Sequence, residues 1–396
     1  MTTTINNEHK KLNVPNLRFP EFQGEWEKSK LSDLCTFFSG GTPSSSNKDF
    51  YGGDIAFIRS GELHADSTEL FISQDGYDNS SAKMVEIGDL LLAMYGATSG
   101  DIAISQIKGA INQAILCIRT NQNKKFIESV WNKHVSKILR KYLQGGQGNL
   151  SADIVKGISF SFPTLEEQER IANLISLLDE RIATQNKIIE DLKKLKSAII
   201  EKHYCKVEKQ IACVGDLGEP FSVGNLAKDD LTETGIPCVI YGELFTTYGE
   251  TISQIESHTY KTEGIILSKK GDLLFPSSTT VDAMSLIAPS VINMDGVILG
   301  GDMFGIHISP NFNAQYLSYY FNHIAKRQLA KFAKGSTIIH LHYADIEKAK
   351  LLLPSLEEQN RVAKCLVTLD DKIKKERTFF DLLNSQKAYL LCHMFI

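Results

Sequence analysis

The sequence predicts an α+β protein in which two tandem, mixed and β-rich modules are separated by two long helices. Two observations support this fold class. Much of the 396-residue chain recurs once, in the same order, in its second half, and each copy ends in a long helical pattern. We expect the two helices to pair as an antiparallel coiled coil, which would give the chain pseudo-two-fold symmetry.

The clearest repeat is a helix opening. The stretch PTLEEQERIANLISLLDERI begins at Pro163, and PSLEEQNRVAKCLVTLDDKI begins at Pro354. In each copy the proline stops the preceding strand, a Thr or Ser caps the helix, and a Glu three positions on completes a capping box. Acidic first turns suit the positive end of a helix, so we prefer this explanation of the paired glutamates to acid–base catalysis.

Beyond each opening, apolar residues follow the 4-3 spacing of a coiled coil. They are Ile171, Ile175, Leu178, Ile182, Ile189, Leu192 and Ile199 in the first copy, and Val362, Leu366, Leu369, Ile373, Phe380, Leu383 and Leu390 in the second. Both series break at equivalent places, Gln185 against Glu376 and Lys196 against Lys387. A helix over 165–203 would be about 58 Å long. That length favours pairing between the helices over packing of each on its own module, and chain polarity leaves a parallel pair open.

The modules carry strand signals, which are short β-branched or aromatic runs bounded by Gly, Ser, Asp and Asn. These runs are Ile55–Ile58, Leu90–Met94, Ile111–Ile118, Val239–Tyr241, Leu273–Phe275 and Val297–Leu299. Each module also has one helix pattern, Phe126–Leu143 or Ala314–Phe332, and both modules contain Gly-Glu-Leu and Gly-Asp-Leu-Leu. The predicted boundaries are a lead-in at 1–25, a module at 26–160, a helix at 161–206, a module at 207–350 and a helix at 351–396.

Composition argues against several classes of protein. No apolar run approaches the ~20 residues of a membrane span, and the polar N-terminus lacks the apolar core of a secretory signal. Seven scattered cysteines without a C-x-x-C motif suit a reducing compartment, so we expect a cytoplasmic protein. The formal net charge of −4 requires any nucleic-acid site to concentrate basic residues locally.

Sequence motifs for catalysis are absent. No Gly is followed by Lys, which excludes a P-loop, and no dinucleotide, amino-methyltransferase, H-E-x-x-H or G-x-S-x-G motif occurs. His340 and His342 form the one close histidine pair, and without a clear third ligand we expect a strand edge there and no metal site. We therefore predict that this chain performs no covalent chemistry.

Near the end of each module, the helical pattern turns basic and runs into a Gly-rich loop. When the two copies are aligned in one register, Lys137 falls on Arg327 and Lys141 on Lys331. The predicted phosphate anchors are Lys137, Arg140, Lys141, Arg327, Lys331 and Lys334. Cations in a last turn also complement the helix dipole, so a purely structural role stays open.

Small and hydroxyl-bearing residues concentrate in loops at matching places of the two modules, where they could contact base edges. The predicted contact residues are Gly41, Thr42, Lys48, Tyr95, Thr98, Gln147, Asn149, Ser277, Ser278, Thr279, Ser336 and Thr337. The helices agree between the copies while these loops differ. This contrast predicts one shared framework that carries two different specificities.

Together these residues resemble the specificity subunit of Type I restriction-modification systems, over nearly the whole chain. The resemblance includes the lead-in VPNLRFPEFQGEWEKSKLSDL at 14–34, both Gly-Asp-Leu-Leu elements, QGNLS at 147–151 and both P-[TS]-L-E-E-Q openings. It implies that the modules are target-recognition domains, each of which reads one half of a split double-stranded DNA site. The two helices would then act as the spacer between the half-sites.

The same resemblance implies partners. Two modification (methyltransferase) subunits would dock on the conserved parts and bring S-adenosylmethionine, and restriction subunits would use ATP and Mg for translocation and cleavage. This chain would need no cofactor of its own. The predicted partner-binding residues are Glu166, Glu167, Gln168, Arg170, Glu357, Glu358, Gln359 and Arg361. The second module has FSVGN where the first has SGGTP, and PSST where the first has MYGAT, so recognition residues do not transfer between the modules.

Two other functions remain as alternatives. An assembly protein that pairs through its coiled coil and binds no DNA is mildly favoured by the acidic net charge. A nuclease is disfavoured because no plausible carboxylate cluster for a metal is present. DNA affinity that falls steeply with salt would distinguish phosphate-anchored binding from the assembly role.

Overall fold

The computed structural model describes residues 13–142 and 149–396. They form two compact units. The first consists of the described residues up to Gln185 together with Phe379–Ile396, and the second is Asn186–Thr378. The predicted contact residue Gln147 lies outside the described residues. No helix within the described residues combines the length and the apolar character that crossing a membrane requires.

The first unit contains two four-stranded sheets and a two-stranded ribbon. Its strands are β1 (Glu27–Lys30), β2 (Cys35–Ser39), β3 (Tyr51–Ile58), β4 (Phe71–Ile72), β5 (Lys83–Val85), β6 (Leu90–Ala93), β7 (Ile102–Ile104), β8 (Gly109–Ile111), β9 (Ile115–Thr120) and β10 (Ser159–Phe162). Its helices are α1 (Leu31–Leu34), α2 (Gln74–Asp78), α3 (Lys124–Tyr142), α4 (Ala152–Gly157) and the first part of α5 (Leu165–Lys206). The sheet orders are β2-β9-β6-β7 and β4-β3-β8-β5, and β1 pairs with β10.

The core of the first unit lies where α3 packs on the β2-β9-β6-β7 sheet. Phe126 and Trp131 of α3 are fully buried. The indole of Trp131 donates to the carbonyl of Gly100 at 2.8 Å, which satisfies its one polar atom inside the core. Phe126 also contacts Phe395, with ring centroids 5.2 Å apart, so the end of the chain completes this core.

The second unit repeats this architecture with larger sheets. Its strands are β11 (Gln210–Cys213), β12 (Gly218–Ser222), β13 (Leu231–Thr232), β14 (Ile236–Ile240), β15 (Thr251–Ile252), β16 (Ser257–Thr259), β17 (Ile266–Leu267), β18 (Asp272–Pro276), β19 (Ser278–Thr279), β20 (Ser290–Ile292), β21 (Ile298–Gly300), β22 (Met303–Ile308), β23 (Ile339–His340) and β24 (Lys350–Leu353). Its helices are α6 (Glu243–Thr246), α7 (Ala283–Leu286), α8 (Ala314–Tyr320), α9 (Lys326–Leu329) and α10 (Tyr343–Ile346), with the second part of α5 and the first part of α11 (Leu356–Met394), whose last part belongs to the first unit. The sheet orders are β12-β22-β18-β20-β15 and β13-β16-β14-β21-β17, and the ribbons are β11-β24 and β19-β23.

Two predicted elements differ in detail from the structure. The run Ile111–Ile118 is two strands, because Asn112 forms a turn that ends β8 before β9 begins. The side chain of Asn112 accepts the N–H of Ala114 at 3.0 Å, a local bond that competes with the strand ladder. The helix predicted over Ala314–Phe332 is present over these residues, but it changes to a π turn at Phe321–Ala325 and ends in a 3-10 turn.

The repeated Gly-Glu-Leu motif closes the same turn in both units. The carboxylate of Glu62 accepts the backbone N–H of Arg59 at 3.0 Å. In the second unit, Glu243 accepts the N–H of Ile240 at 2.9 Å. Each glutamate therefore satisfies a donor at the end of a strand, and the motif recurs because the turn recurs.

The repeated Gly-Asp-Leu-Leu motif also closes a turn. Asp89 accepts the N–H of Glu86 at 3.0 Å, and Asp272 accepts the N–H of Lys269 at 2.8 Å. The glycine before each aspartate has a positive φ, +88° in the first unit and +93° in the second, which a side chain would strain. The two leucines then enter the buried strands β6 and β18.

The same two aspartates each bind the guanidinium or imidazole group of a side chain that packs on an aromatic ring. In the first unit, the aspartate binds Arg119 at 2.7 Å, and the guanidinium lies 4.9 Å from the ring centroid of Phe38. In the second unit, the aspartate binds His307 at 2.6 Å, and that ring stacks on Phe221 at 4.2 Å. The arrangement is common to both units although the residue types differ.

Within each unit, α5 and α11 run antiparallel. In the first unit, Asp179 binds Lys387 at 2.6 Å. In the second unit, Lys196 binds Asp370 at 2.7 Å, and His203, further along α5, reaches Glu358, further back on α11. The predicted antiparallel pairing is confirmed, and the apolar series includes buried residues on both helices: Ile171, Ile175, Leu178, Ile189, Val362, Leu366 and Leu383.

Candidate nucleic-acid and subunit interfaces

The glutamine of the first helix opening holds the module helix in place. Gln168 is buried, and its side-chain oxygen accepts the backbone N–H of Asn123 at 3.1 Å. Its amide donates to the carbonyl of Pro163 at 3.0 Å. Asn123 in turn accepts the N–H of Phe126 at 3.0 Å and so caps α3. The start of α5 is thereby bonded to the start of α3.

The second helix opening makes the same bonds. Buried Gln359 accepts the N–H of Asn313 at 3.0 Å and donates to the carbonyl of Pro354 at 2.8 Å. Asn313 accepts the N–H of Tyr316 at 2.7 Å as the cap of α8. These internal bonds give both glutamines a structural role that the sequence pattern alone did not reveal.

Leucine at either glutamine is expected to lower the free energy of unfolding by about 1–3 kcal/mol, because a half-buried backbone N–H would lose its acceptor. Gln168→Leu and Gln359→Leu would be compared by urea unfolding. Gln386→Leu, on an exposed face of α11, is the matched control. Equal losses in all three variants would contradict the role of the two buried amides.

The first glutamate predicted to complete a capping box is bonded elsewhere. The N–H of Glu167 donates to the hydroxyl of Thr164 at 3.4 Å, a long bond that forms half of the box. The buried carboxylate instead accepts from Arg18 at 2.7 and 2.8 Å and from the indole of Trp26 at 3.3 Å. The lead-in is thus attached to the first helix opening.

The second glutamate follows the same principle with different partners. Glu358 accepts from His203 at 3.0 Å and from Arg361 at 2.6 Å, and these bonds lower its pKa, with the Arg361 hydrogen bond as the main cause.

Of the eight predicted partner-binding residues, four are exposed: Glu166, Arg170, Glu357 and Arg361. Glu167, Gln168 and Gln359 are buried, and Glu358 is half-buried.

The predicted phosphate anchors of the first unit are exposed on the last turns of α3. Lys137 and Lys141 line an open groove of about 810 Å³, together with His134 and exposed Lys28. Arg140 is exposed as well, and its guanidinium donates to a carbonyl one turn back. Lys28 is a cation of this groove that the helical pattern could not indicate, because it lies on β1.

In the second unit, Arg327 and Lys331 are exposed and Lys334 is ion-paired. The ammonium of Lys334 lies 2.5 Å from the carboxylate of Asp345, and this bond is the main cause of the lowered pKa of Asp345. The backbone of Lys334 also exchanges two hydrogen bonds with the backbone of His340 on β23. An anion approaching Lys334 would therefore compete with Asp345.

A cleft of about 770 Å³ lies between α6, the loop after β18 and the π turn of the second unit. Tyr241 and Phe245 line it, and about a third of the surface of each side chain is exposed. Lys326 and the predicted contact residue Thr279 also line it, and Glu250 contributes a carboxylate. Aromatic rings beside a cation and a hydroxyl can stack on and bond to bases.

The other predicted contact residues of the second unit divide into buried and exposed positions. Ser277 and Ser278 are buried: the N–H of Ser277 donates to Asp302, and Ser278 pairs with His340 across the β19-β23 ribbon. His340 therefore lies on a strand, whereas His342 lies just before α10, and the two rings face each other 6.1 Å apart. Ser336 and Thr337, in the loop before β23, are exposed.

In the first unit, most predicted contact residues lie on loops at the surface. Lys48, Tyr95 and Asn149 are exposed, and Thr98 is half-buried. The hydroxyl of Thr42 donates to the side chain of Gln113 at 2.7 Å, which adds Gln113 to this surface. Gly41 is buried, and a Cβ there would come within 2.7 Å of Ser81, so close packing alone requires glycine.

Metal ligands are not gathered in the described structure. Over residues 13–142 and 149–396, no group of three or more His, Cys, Asp or Glu side chains is arranged to hold an ion. The described surface offers cations, hydroxyls and aromatic rings, which suit binding to a polyanion.

Fold and surfaces together define a two-unit recognition protein built on antiparallel helical segments. Residues 23–194 and 206–378 match the family described as Type I restriction modification DNA specificity domain. These segments make up most of the chain, and the chain therefore belongs to this family.

Individual relatives are similar over either the whole chain or about half of it. The putative type I restriction enzyme MjaX specificity subunit of Methanocaldococcus jannaschii is 23% identical over 97% of this chain and 96% of its own. The EcoR124I/EcoR124II specificity subunit of Escherichia coli is 26% identical over 48% of this chain and 50% of its own. The crystal structure of the S subunit of a type I restriction-modification system from M. genitalium shares the fold, with a TM-score of 0.64 at 15% identity, covering 97% of this chain and 99% of that one.

Proposed function

We propose that this chain is the DNA-recognition subunit of a Type I restriction-modification enzyme and that each module reads one half of a bipartite target. The observation that carries the proposal is the difference between what the two units share and what they do not. The shared residues close turns and bond helix ends, whereas the exposed loops and cleft residues differ. One framework with two different exposed surfaces suits a target of two unlike halves.

Residues 26–160 read one half-site in this proposal and residues 207–350 read the other. In the first module, Lys137 and Lys141 hold phosphates along the groove that Lys28 extends. In the second module, bases enter the cleft lined by Tyr241 and Phe245. The acidic net charge is compatible with this role because the cations are locally concentrated.

Catalysis belongs to the partner subunits in this proposal. Modification subunits dock on the exposed residues of the helix openings, Glu166, Arg170, Glu357 and Arg361, and supply S-adenosylmethionine. Restriction subunits supply the ATP- and Mg-dependent step. The buried Gln168 and Gln359 contribute indirectly, because they fix the surface on which the partners dock.

The salt dependence of DNA binding tests the proposal. In the complex with its modification subunit, Lys137→Ala, Arg140→Ala and Lys141→Ala together are expected to weaken binding to all sequences alike. They should also reduce the slope of log K against log salt by about one per lost phosphate contact. Filter binding at several salt concentrations measures both quantities.

Three exposed lysines of α5 provide the matched control: Lys187, Lys193 and Lys194 replaced together by alanine. The control variant is expected to keep the wild-type slope. A wild-type complex whose DNA affinity hardly changes with salt would overturn the proposal and favour the assembly role.

A further inference from the structure

Each unit contains an aspartate at which three helical segments meet. The first junction is Asp179 on α5 with Lys387 on α11 and Lys125 on α3. The second junction is Asp370 on α11 with Lys196 on α5 and Tyr319 on α8. Each junction joins both long helices and a module helix through one carboxylate.

In the first junction, Asp179 accepts from two ammonium groups. The Nζ of Lys387 lies 2.6 Å from the carboxylate, and the Nζ of Lys125 lies 2.8 Å from it. Burial alone would raise the pKa of Asp179, but the bonds from both lysines outweigh this and lower it. Lys125 is also ion-paired with Glu128, so it keeps a partner if Asp179 is removed.

The lysine of the second junction is more deeply buried than that of the first. Only 9% of the side chain of Lys196 is exposed, and its ammonium lies 2.7 Å from Asp370 and 3.0 Å from Glu250. The hydroxyl of Tyr319 donates to Asp370 at 2.5 Å, and His323 reaches Glu250 at 2.8 Å. Every charged group of this cluster has a partner of opposite charge or a hydrogen bond.

The two junctions occupy equivalent positions in the repeat. On α5, Asp179 precedes Lys196 by the same number of positions as Asp370 precedes Lys387 on α11. Each helix therefore gives an aspartate to one unit and a lysine to the other. In an antiparallel pair, both lysines can reach an aspartate of the other helix in the same register. A shift of one helix along the other would separate both ion pairs.

Stability alone does not account for such pairs. Removing two charges from water costs about as much as their attraction returns, so a buried pair is weak evidence for stability. Its better-attested effect is on specificity, as when one polar group at a coiled-coil core position fixes the register. Here both lysines interrupt an apolar series that would otherwise permit other registers.

We propose that Asp179, Lys387, Asp370 and Lys196 are positioning residues that fix the register of α5 against α11 and thereby set the length of the gap between the two DNA half-sites. The assignment of a gap rests on the proposed function. The residues act through the helices and contact no DNA base.

The test replaces each junction by apolar side chains. Asp179→Leu with Lys387→Met removes the first junction and leaves Lys125 paired with Glu128. Lys196→Met with Asp370→Leu removes the second and leaves Glu250 bonded to His323. The matched control is Glu190→Gln with Lys193→Gln, an exposed pair within α5 at 2.8 Å.

Each variant would be assembled with the cognate modification subunit and given a plasmid library in which the mapped half-sites are separated by different gaps. Methylation of sites with a wrong gap, relative to the cognate gap, is expected to rise about tenfold in both junction variants, equal to about 1.4 kcal/mol of lost discrimination. The half-site sequences and the control are expected not to change. An unchanged gap ratio in the junction variants would overturn the proposal, whether or not their melting temperature falls.

Lys387→Met alone is the milder variant, since Asp179 keeps Lys125. It is expected to relax the gap in the same direction, and a folded variant with wild-type gap selectivity would count equally against the proposal. The wild-type complex tests the underlying function separately. If it methylates no bipartite motif, the proposed function fails; if it does and the variants keep its gap, only the junction proposal fails.

Discussion

Lys196→Met alone is expected to lower the free energy of unfolding by about 3 kcal/mol, the low end of the range for a broken buried pair, because it leaves two half-buried carboxylates without their cation. Glu250 would keep its contact with His323, and Asp370 would keep the hydroxyl of Tyr319. Urea unfolding at neutral pH measures the loss. Lys193→Met, at an exposed position of the same helix, is expected to change stability by less than about 0.5 kcal/mol.

The pH dependence of stability should depend on the same ion pairs around Lys196. Burial alone would raise the pKa of Glu250, but the hydrogen bond from His323 and the charge of Lys196 outweigh this and hold the pKa at about 2, below its ordinary value of 4.5. A lowered pKa stabilises the folded state at pH above 4.5 and loses that contribution as pH falls towards 2. Lys196→Met should therefore weaken the loss of stability between these pH values. An acid dependence identical to that of the wild type would contradict this assignment.

Exchange of the first module for that of another family member is expected to change one half of the methylated motif and to leave the other half and the gap intact. Methylation at the original motif should fall by about 100-fold or more, since each mismatched base pair costs about 1–3 kcal/mol. Mapping of methylated bases across the host genome measures both half-sites and the gap together.

The structure indicates where the exchange should be made. Strands β1 and β10 pair at the base of the first module, from Glu27 with Phe162 to Lys30 with Ser159. Residues 31–158 therefore enter and leave the framework side by side and can be replaced without cutting this ribbon. The reciprocal exchange, between β11 and β24, should change the opposite half-site. If one exchange altered both halves, the modules would not read independently.

The parts of the fold that could be predicted are those with local signals. The long helices follow from their caps and apolar spacing, and α3 begins at Lys124, close to its predicted start at Phe126. Very short strands such as β19 could not be predicted, because their pairing partner lies far along the chain. Burial of Ser277 and Ser278 follows from that pairing and was equally hidden.

The candidate functional residues also divide into those with a local sequence signal and those that depend on distant parts of the chain. Exposure of Lys137, Lys141 and Arg327 agrees with their helical positions. The roles of Gln168 and Lys196 could not be read, because Asn123 and Glu250 are brought to them only by the fold. One signal was available for the junctions: an aspartate and a lysine recur at the same separation on both helices.

The closed turns at Glu62, Glu243, Asp89 and Asp272 have a consequence for evolution. The residues that make the two halves recognisable as copies are those that satisfy backbone donors, so selection on them is for folding and is blind to which bases are bound. Two such proteins can therefore keep every shared motif while their targets diverge freely. A lineage could acquire a new recognition pattern by changing exposed loops alone, with no cost to the architecture that carries them.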